Sequence, residues 1–234
     1  WPQAHLWPIF AGAWAIHTVY KVLQAMAFTR GAYTVVYPVV RGSGPFFTVI
    51  GAYLLFGEVF TVGQWFGVAV LICGIFGLAV YNMRTVTPER ETLGLALALA
   101  LFTGFFVAFY TTYDAYGIRA AADPFTFLAW FFVIDSWSMP IVALVYARRK
   151  GVALARQGLM WRAPIGGLVA MASFGAILMA TRLDKVGEAA VLRETSTIFA
   201  ALIGWLFLKE TVGPRRLALM ALIALGAVIV EFAG

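Results

Sequence analysis

Arginine stands inside an otherwise oily run twice in this chain. Residues 39–58 read VVRGSGPFFTVIGAYLLFGE and residues 191–210 read VLRETSTIFAALIGWLFLKE. A charge in the bilayer interior is costly, so Arg41 and Arg193 each need a partner or a purpose. The chemistry open to a guanidinium there is bidentate hydrogen bonding to a carboxylate or phosphate. Other polar residues share helical faces: His17, Lys21 and Gln24 follow i, i+4, i+7 spacing, and Tyr110, Tyr113, Asp114 and Gly117 do likewise. Asp135 sits mid-run in FFVIDSWSMP, ahead of Pro140, which is expected to kink its helix. Glu194 follows Arg193, and Thr197 lies one turn beyond. One cavity is expected to hold Lys21, Arg41 and Arg193 against Asp114, Asp135 and Glu194. Two roles fit it. In the first, Arg41, Arg193, Lys21, His17, Gln24 and Thr197 bind a solute, and an acid among Asp114, Asp135 and Glu194 couples its movement to protons. In the second, cations and acids pair and staple helices together, with His17 supplying a helix–helix hydrogen bond.

The elements that position these residues belong in lipid. Hydrophobic residues make up 62% of the 234 and charged residues 12%, about half the charge of a soluble domain. A net charge of +6 fits basic cytoplasmic loops better than nucleic-acid binding, since no basic run is interleaved with polar residues. Cys73, alone in VLICGIF, forms no intrachain disulfide and is expected to pack inside. Enzyme chemistry has little to stand on. HExxH is absent, RGSGPF has arginine where GxSxG needs its first glycine, and His5 and His17 are too few for a metal centre. No phosphate-binding loop is present, so neither ATP nor another cofactor is expected.

A helix needs about 20 apolar residues to cross a hydrocarbon core of about 30 Å. Eight candidate spans follow: about 6–27, 32–57, 62–82, 91–116, 123–147, 162–181, 187–208 and 213–233. At a constant offset of 152, Val39, Arg41, Phe47, Leu54, Glu58, Ala69 and Gly74 meet identical residues at Val191, Arg193, Phe199, Leu206, Glu210, Ala221 and Gly226. Three helices up to residue 82 thus match the last three of the five that follow, which implies two more helices ahead of Trp1 and a ten-helix parent. Five helices is an odd number, so the two units must lie inverted in the membrane. Helices entering from opposite faces bring Arg41 and Arg193 to similar depth near the midplane, where transporters place their sites.

Lysine and arginine distribution sets the orientation. Arg148, Arg149, Lys150, Arg156 and Arg162 cluster in one loop, and Arg30, Arg84, Arg90, Lys209, Arg215 and Arg216 lie on its side. The opposing loops offer Arg119, Arg182 and Lys185. The positive-inside rule puts the first group in the cytoplasm and both ends of the chain outside. Gly67, Gly74 and Gly77 on the third span, with Ala96, Ala100 and Gly104 on the fourth, allow close helix approach. Trp7, Trp65 and Trp161 suit the interface belt. Phe105, Phe106, Trp130 and Phe131 fit lipid-facing or packing positions, and Glu58 and Glu210 sit at structural turns.

These paired segments resemble two copies of the EamA-like domain of the drug/metabolite transporter superfamily. The resemblance rests on a helix, GE or KE, a short loop and a glycine-bearing helix, at Glu58, Gly67 and Gly74 and again at Glu210 and Gly226. RGSGPF, YTTYDAYGIR and RETSTIFAALIGWLFLKE look like motifs of one bacterial subgroup. The resemblance implies an all-α polytopic membrane protein of ten transmembrane helices in two inverted five-helix repeats, eight of them present here. Residues 1–84 would be the first repeat without its first two helices, and 85–234 the second. The expected function is a secondary transporter of the bacterial inner membrane that exports a small polar metabolite, an amino acid or other carboxylate-bearing solute. The family's usual cytoplasmic termini conflict with the arginine distribution. The alternative is a non-transporting membrane subunit or assembly partner of a larger membrane complex, and a second copy of the chain or a membrane-complex partner is among the expected partners.

Overall fold

In lipid, a long apolar run without polar alternation satisfies its backbone amides by forming a helix. The computed structural model of the protein describes residues 1–30, 33–85, 90–151, 159–196, 199 and 213–234. Every element among them is helical: α1 (Leu6–Phe28), α2 (Tyr33–Phe56), α3 (Val62–Thr85), α4 (Arg90–Ala120), α5 (Pro124–Asp135), α6 (Ser138–Lys150), α7 (Leu159–Leu183), α8 (Val186–Arg193) and α9 (Pro214–Phe232). Among the described residues, five stretches are long and apolar enough to cross a membrane: Val36–Phe56, Val62–Tyr81, Gly94–Ala120, Pro124–Lys150 and Trp161–Leu183. Helix α1 is not among them, because His17, Lys21 and Gln24 lower its hydropathy, and α9 has only the shorter apolar stretch Leu217–Phe232.

Two expected spans are interrupted. The fifth breaks at Ser136–Trp137, between α5 and α6, rather than bending at Pro140 itself. Pro140 has no N–H to give the Ser136 carbonyl, and its ring crowds that carbonyl one turn back. The seventh stops at Arg193, with a turn at Glu194–Thr195. Its expected remainder, to residue 208, lies almost wholly outside the described residues. The fourth instead runs further than expected, through Gly117 to Ala120. Gly117 packs there rather than turns: a Cβ would meet Ile9 and Phe127 at 2.8 Å.

Helix α4 lies between α1 and α2, and α9 lies along α3. Leu6, Phe10, Ile118, Phe127, Phe131 and Leu178 form one buried cluster joining α1, α4, α5 and α7. Val49, Leu71, Ile75, Val191, Ile223 and Val230 form another across α2, α3, α8 and α9. The α3–α9 crossing depends on glycine. A Cβ on Gly226 would stand 2.5 Å from the Leu71 nitrogen and 2.7 Å from the Gly67 carbonyl oxygen. Cys73, expected to pack inside, is instead exposed on α3, on a surface that lipid would cover. Apolarity alone does not separate core from lipid face in a membrane helix.

At the end away from the basic loops, charged residues tie helix termini together. Arg182 of α7 donates to the carbonyls of Ile118 (2.5 Å) and Ala121 (2.8 Å) at the end of α4. Arg119 of α4 returns the contact to Thr181 and Asp184, both at 2.8 Å. Each arginine thus satisfies carbonyls that the other helix leaves open at its negative end. Lys185 pairs with Glu188 at 2.9 Å. Among the described residues, Arg119, Arg182 and Lys185 on this side all have structural partners.

Asp123 caps α5, accepting from the Phe125 N–H (3.2 Å), the Thr126 N–H (2.9 Å) and the Thr126 hydroxyl (2.5 Å). The bonds from Thr126 hold its carboxyl below the ordinary carboxylate range. A depressed folded-state value contributes stability above the ordinary pKa of about 4 and loses it as pH falls through the folded value. Asp123→Ala should therefore lower the melting temperature in detergent at pH 7 and change it less at pH 2. An equal shift at both pH values would refute the charge-dependent cap.

Candidate solute and ion site

The charged residues expected in one cavity fall into two clusters. The first lies between α1, α4 and the α5–α6 break. His17, 4% exposed, meets the Oδ2 of Asp114 through Nε2 at 2.7 Å. Its Nδ1 stands 4.0 Å from Asp135 Oδ1. Lys21, one turn further along α1, donates to both oxygens of Asp135 (2.8 and 2.7 Å) and to Ser138 Oγ at 3.0 Å. Asp114, in the last two turns of α4, is buried and 1% exposed. Its Oδ1 has no hydrogen-bond partner among the described residues.

The second cluster gathers both arginines. Arg41 Nε of α2 lies 3.0 Å from Glu194 Oε2, and Arg193 Nε lies 3.6 Å from Glu194 Oε1. Arg41 also donates to Ser196 Oγ at 2.5 Å and stands 5.7 Å from the Tyr37 ring. Glu194 is fully buried. Two guanidinium groups therefore share one carboxylate, which leaves a surplus of positive charge among the described residues. Glu194 sits where α8 ends, so its side chain projects from a helix break, the kind of place where transporters build sites. Thr197 lies outside the described residues.

Two cavities adjoin these clusters. One of about 450 Å³ is lined by His17, Lys21, Asp135 and Ser136 with Phe131 and Phe174. A smaller one of about 100 Å³ is lined by Gln24, Tyr37, Arg41 and Arg193. Tyr20 and Tyr110 line both. Their rings lie 4.9 Å apart, and Tyr110 stands 4.5 Å from the His17 ring. Gln24, on the expected α1 face, donates to the Tyr20 hydroxyl at 2.8 Å and lines the arginine cavity only.

Sequence reasoning passed over Tyr20, Ser138 and Ser196. Tyr20 lies three residues after His17 and four before Gln24, on the same helical face. Its spacing was the available signal. Ser138 faces Lys21 only because the chain turns after Asp135, and no periodicity announces that.

A model of the EamA-like transporter family matches residues 94–232, more than half of the chain. The chain belongs to the EamA-like transporter family. This places it with the membrane transporters of the drug/metabolite superfamily. The match spans Asp114, Asp135, Arg193 and Glu194, whereas His17, Lys21, Gln24 and Arg41 of this EamA-like chain lie ahead of it. A Sinorhizobium fredii protein described as "Uncharacterized protein y4nH" is 35% identical over 74 residues, 32% of this chain and 63% of the relative. The EamA-like chain thus covers less than two thirds of that relative's length.

Proposed function

We propose that this protein is a secondary transporter that exports a small carboxylate-bearing solute, an amino acid or a similar metabolite, across a bacterial inner membrane. The observation that carries the proposal is the convergence of Arg41 and Arg193 on the single buried carboxylate of Glu194, beside a small polar cavity. A guanidinium pair with one acid between them can accept a second carboxylate without an uncompensated negative charge. The solute would compete with Glu194 for the arginines, loading the site while the helix break at residues 194–195 gives it room. In this proposal residues 1–84 and 85–234 are inverted repeats that rock about the site. The basic loops face the cytoplasm, a placement supported by the structural partners of Arg119, Arg182 and Lys185 at the opposite end.

Counterflow of labelled amino acids into proteoliposomes tests the proposal. A charge-assisted hydrogen bond is worth about 1.5–3 kcal/mol, so Arg41→Gln and Arg193→Gln should each lower counterflow about tenfold or more. Monodisperse elution of each variant must match that of the parent. Unchanged counterflow in both variants would reject the arginines as the solute site.

One observation favours a second reading, a membrane subunit completed by other helices. Residues 161–173 of α7 are exposed all the way round, with Trp161 81% and Leu168 69% exposed. Although Gly167, Ala170 and Met171 line the larger cavity, a stretch this exposed offers other transmembrane helices a place to pack. Stoichiometric co-purification of a partner in mild detergent, together with absent counterflow, would favour that reading.

A further inference from the structure

The cluster around His17 has a charge balance that the arginine cluster does not share. Lys21 is matched by Asp135, which grips it with both carboxylate oxygens. Asp114 remains, buried inside α4, with His17 at one oxygen and no hydrogen-bond partner at the other among the described residues. One cation, two carboxylates and one imidazole are electrically neutral only when the cluster holds one additional proton. The imidazole is the group between the two acids, with Asp114 at 2.7 Å and Asp135 at 4.0 Å. Asp135 and His17 line the larger cavity, which gives that proton a route in and out.

We propose that His17, Asp114 and Asp135 form a proton-binding site separate from the arginine cluster, and that its proton is exchanged for the solute. The inference rests on the transport function proposed above. In the loaded state Nε2–H of the imidazolium donates to Asp114 and Nδ1–H points toward Asp135. Release takes the proton from Nδ1, the nitrogen toward Asp135, and leaves the Nε2 bond to Asp114 intact. The groups facing His17 are few. Helix α1 supplies Tyr20 and Lys21, α4 supplies Tyr110 and Asp114, and the α5–α6 break supplies Asp135 with Ser138 behind it. Helix α7 offers the Phe174 ring, 5.8 Å away, and no charged group among the described residues. Tyr110 joins the two sites physically. Its ring packs on the imidazole and also lines the cavity of Arg41 and Arg193. A solute seated at the arginines therefore lies one ring away from the proton.

The test separates exchange from coupling in proteoliposomes of the full chain, with labelled amino acids as the probe. Counterflow needs no net proton movement, whereas accumulation against a gradient does. At one proton per solute, a gradient of one pH unit sustains about tenfold accumulation, 1.4 kcal/mol being a factor of ten. The parent protein should accumulate solute to that extent and shift the signal of a lumenal pH dye during downhill solute flux. His17→Gln and Asp114→Asn should lose both accumulation and the dye signal, and Asp114→Asn should keep counterflow within about twofold. Three results overturn the inference and leave the transport proposal standing. Counterflow in the parent without a dye signal would leave a transporter that moves no proton. Variants that still accumulate solute would place the proton elsewhere. Variants that elute as the parent does but lose counterflow and accumulation together would make the cluster structural or solute-binding. Absent counterflow in the parent would remove the transport proposal, and this inference with it.

Discussion

Glu194→Gln should be among the most destabilising conservative substitutions in this protein. The change keeps side-chain volume but takes the negative charge from between Arg41 and Arg193, which approach to 3.0 and 3.6 Å. Two guanidinium groups would then face each other across a neutral amide in a site where Glu194 is fully buried. Breaking a buried ion pair from one side costs about 3–5 kcal/mol, because the remaining charge stays desolvated. Here two charges would remain. The arginine variants differ in kind. Arg41→Gln leaves Glu194 with Arg193, and Arg193→Gln leaves it with Arg41, so each retains a one-to-one pair. Thermal unfolding in detergent should therefore rank Glu194→Gln well below either arginine variant. The double variant Glu194→Gln with Arg193→Gln should recover part of the loss, since residues in one network are not additive. If Glu194→Gln melts with the parent while the arginine variants fall, the carboxylate is not what holds the arginines.

The same asymmetry explains how one cluster can serve binding and stability together. Among the described residues this cluster has more cations than acids, and in the proposed function a solute anion completes it while Glu194 holds both arginines in the empty state. The His17 cluster is the complement, with more acid than fixed cation. The two lie either side of Tyr20 and Tyr110. Opposite imbalances one ring apart can exchange a carboxylate and a proton without leaving a large net charge in the membrane at any step.

Much of this was legible from spacing. The offset of 152 between Arg41 and Arg193 marked the two as counterparts, and the structure has both within ion-pair distance of Glu194. The α1 face of His17, Lys21 and Gln24 was legible too, because a helix holds its i, i+4, i+7 register without help from tertiary structure. The partition into two clusters was not. Which acid each cation takes depends on where the chain breaks after Asp135 and after Arg193, and only the first break has a marker in the sequence, Pro140, five residues on. Core and lipid faces were equally hard to separate. Cys73 and Phe131 both sit in apolar runs, yet one is exposed and the other is 2% exposed in the core. A soluble helix would mark that difference with polar residues, but lipid is as apolar as the core and erases it.

Glu58→Ala is expected to loosen the proposed solute site from a distance. Gly57, at φ 67°, turns the chain after α2 and sets Glu58 across the start of α8. The carboxylate accepts the Val186 N–H at 3.0 Å and the Gly187 N–H at 3.2 Å, and pairs with Arg119 at 3.1 Å. Its side chain is 9% exposed, so little water would replace it. Losing an N-terminal cap costs about 0.5–2 kcal/mol. The charged bond to Arg119 adds about 1.5–3 kcal/mol, and together these should lower the melting temperature clearly. Glu58→Gln keeps an acceptor for one amide and should fall between the two. A double-mutant cycle with Arg119→Met isolates the ion pair, and a coupling energy near zero would show that the contact carries no stability. The functional consequence follows from length. Helix α8 has eight residues, about 12 Å at 1.5 Å per residue, and Arg193 closes its other end. A helix this short is held by its ends rather than by its own hydrogen bonds. Freeing its first turn lets Arg193 and Glu194 move, so Glu58→Ala should raise the solute concentration needed for half-maximal counterflow, although Glu58 does not line the arginine cavity. Unchanged half-saturation in a variant with a lowered melting temperature would mean that α8 is fixed by its packing on Val49 and Ile223 rather than by Glu58.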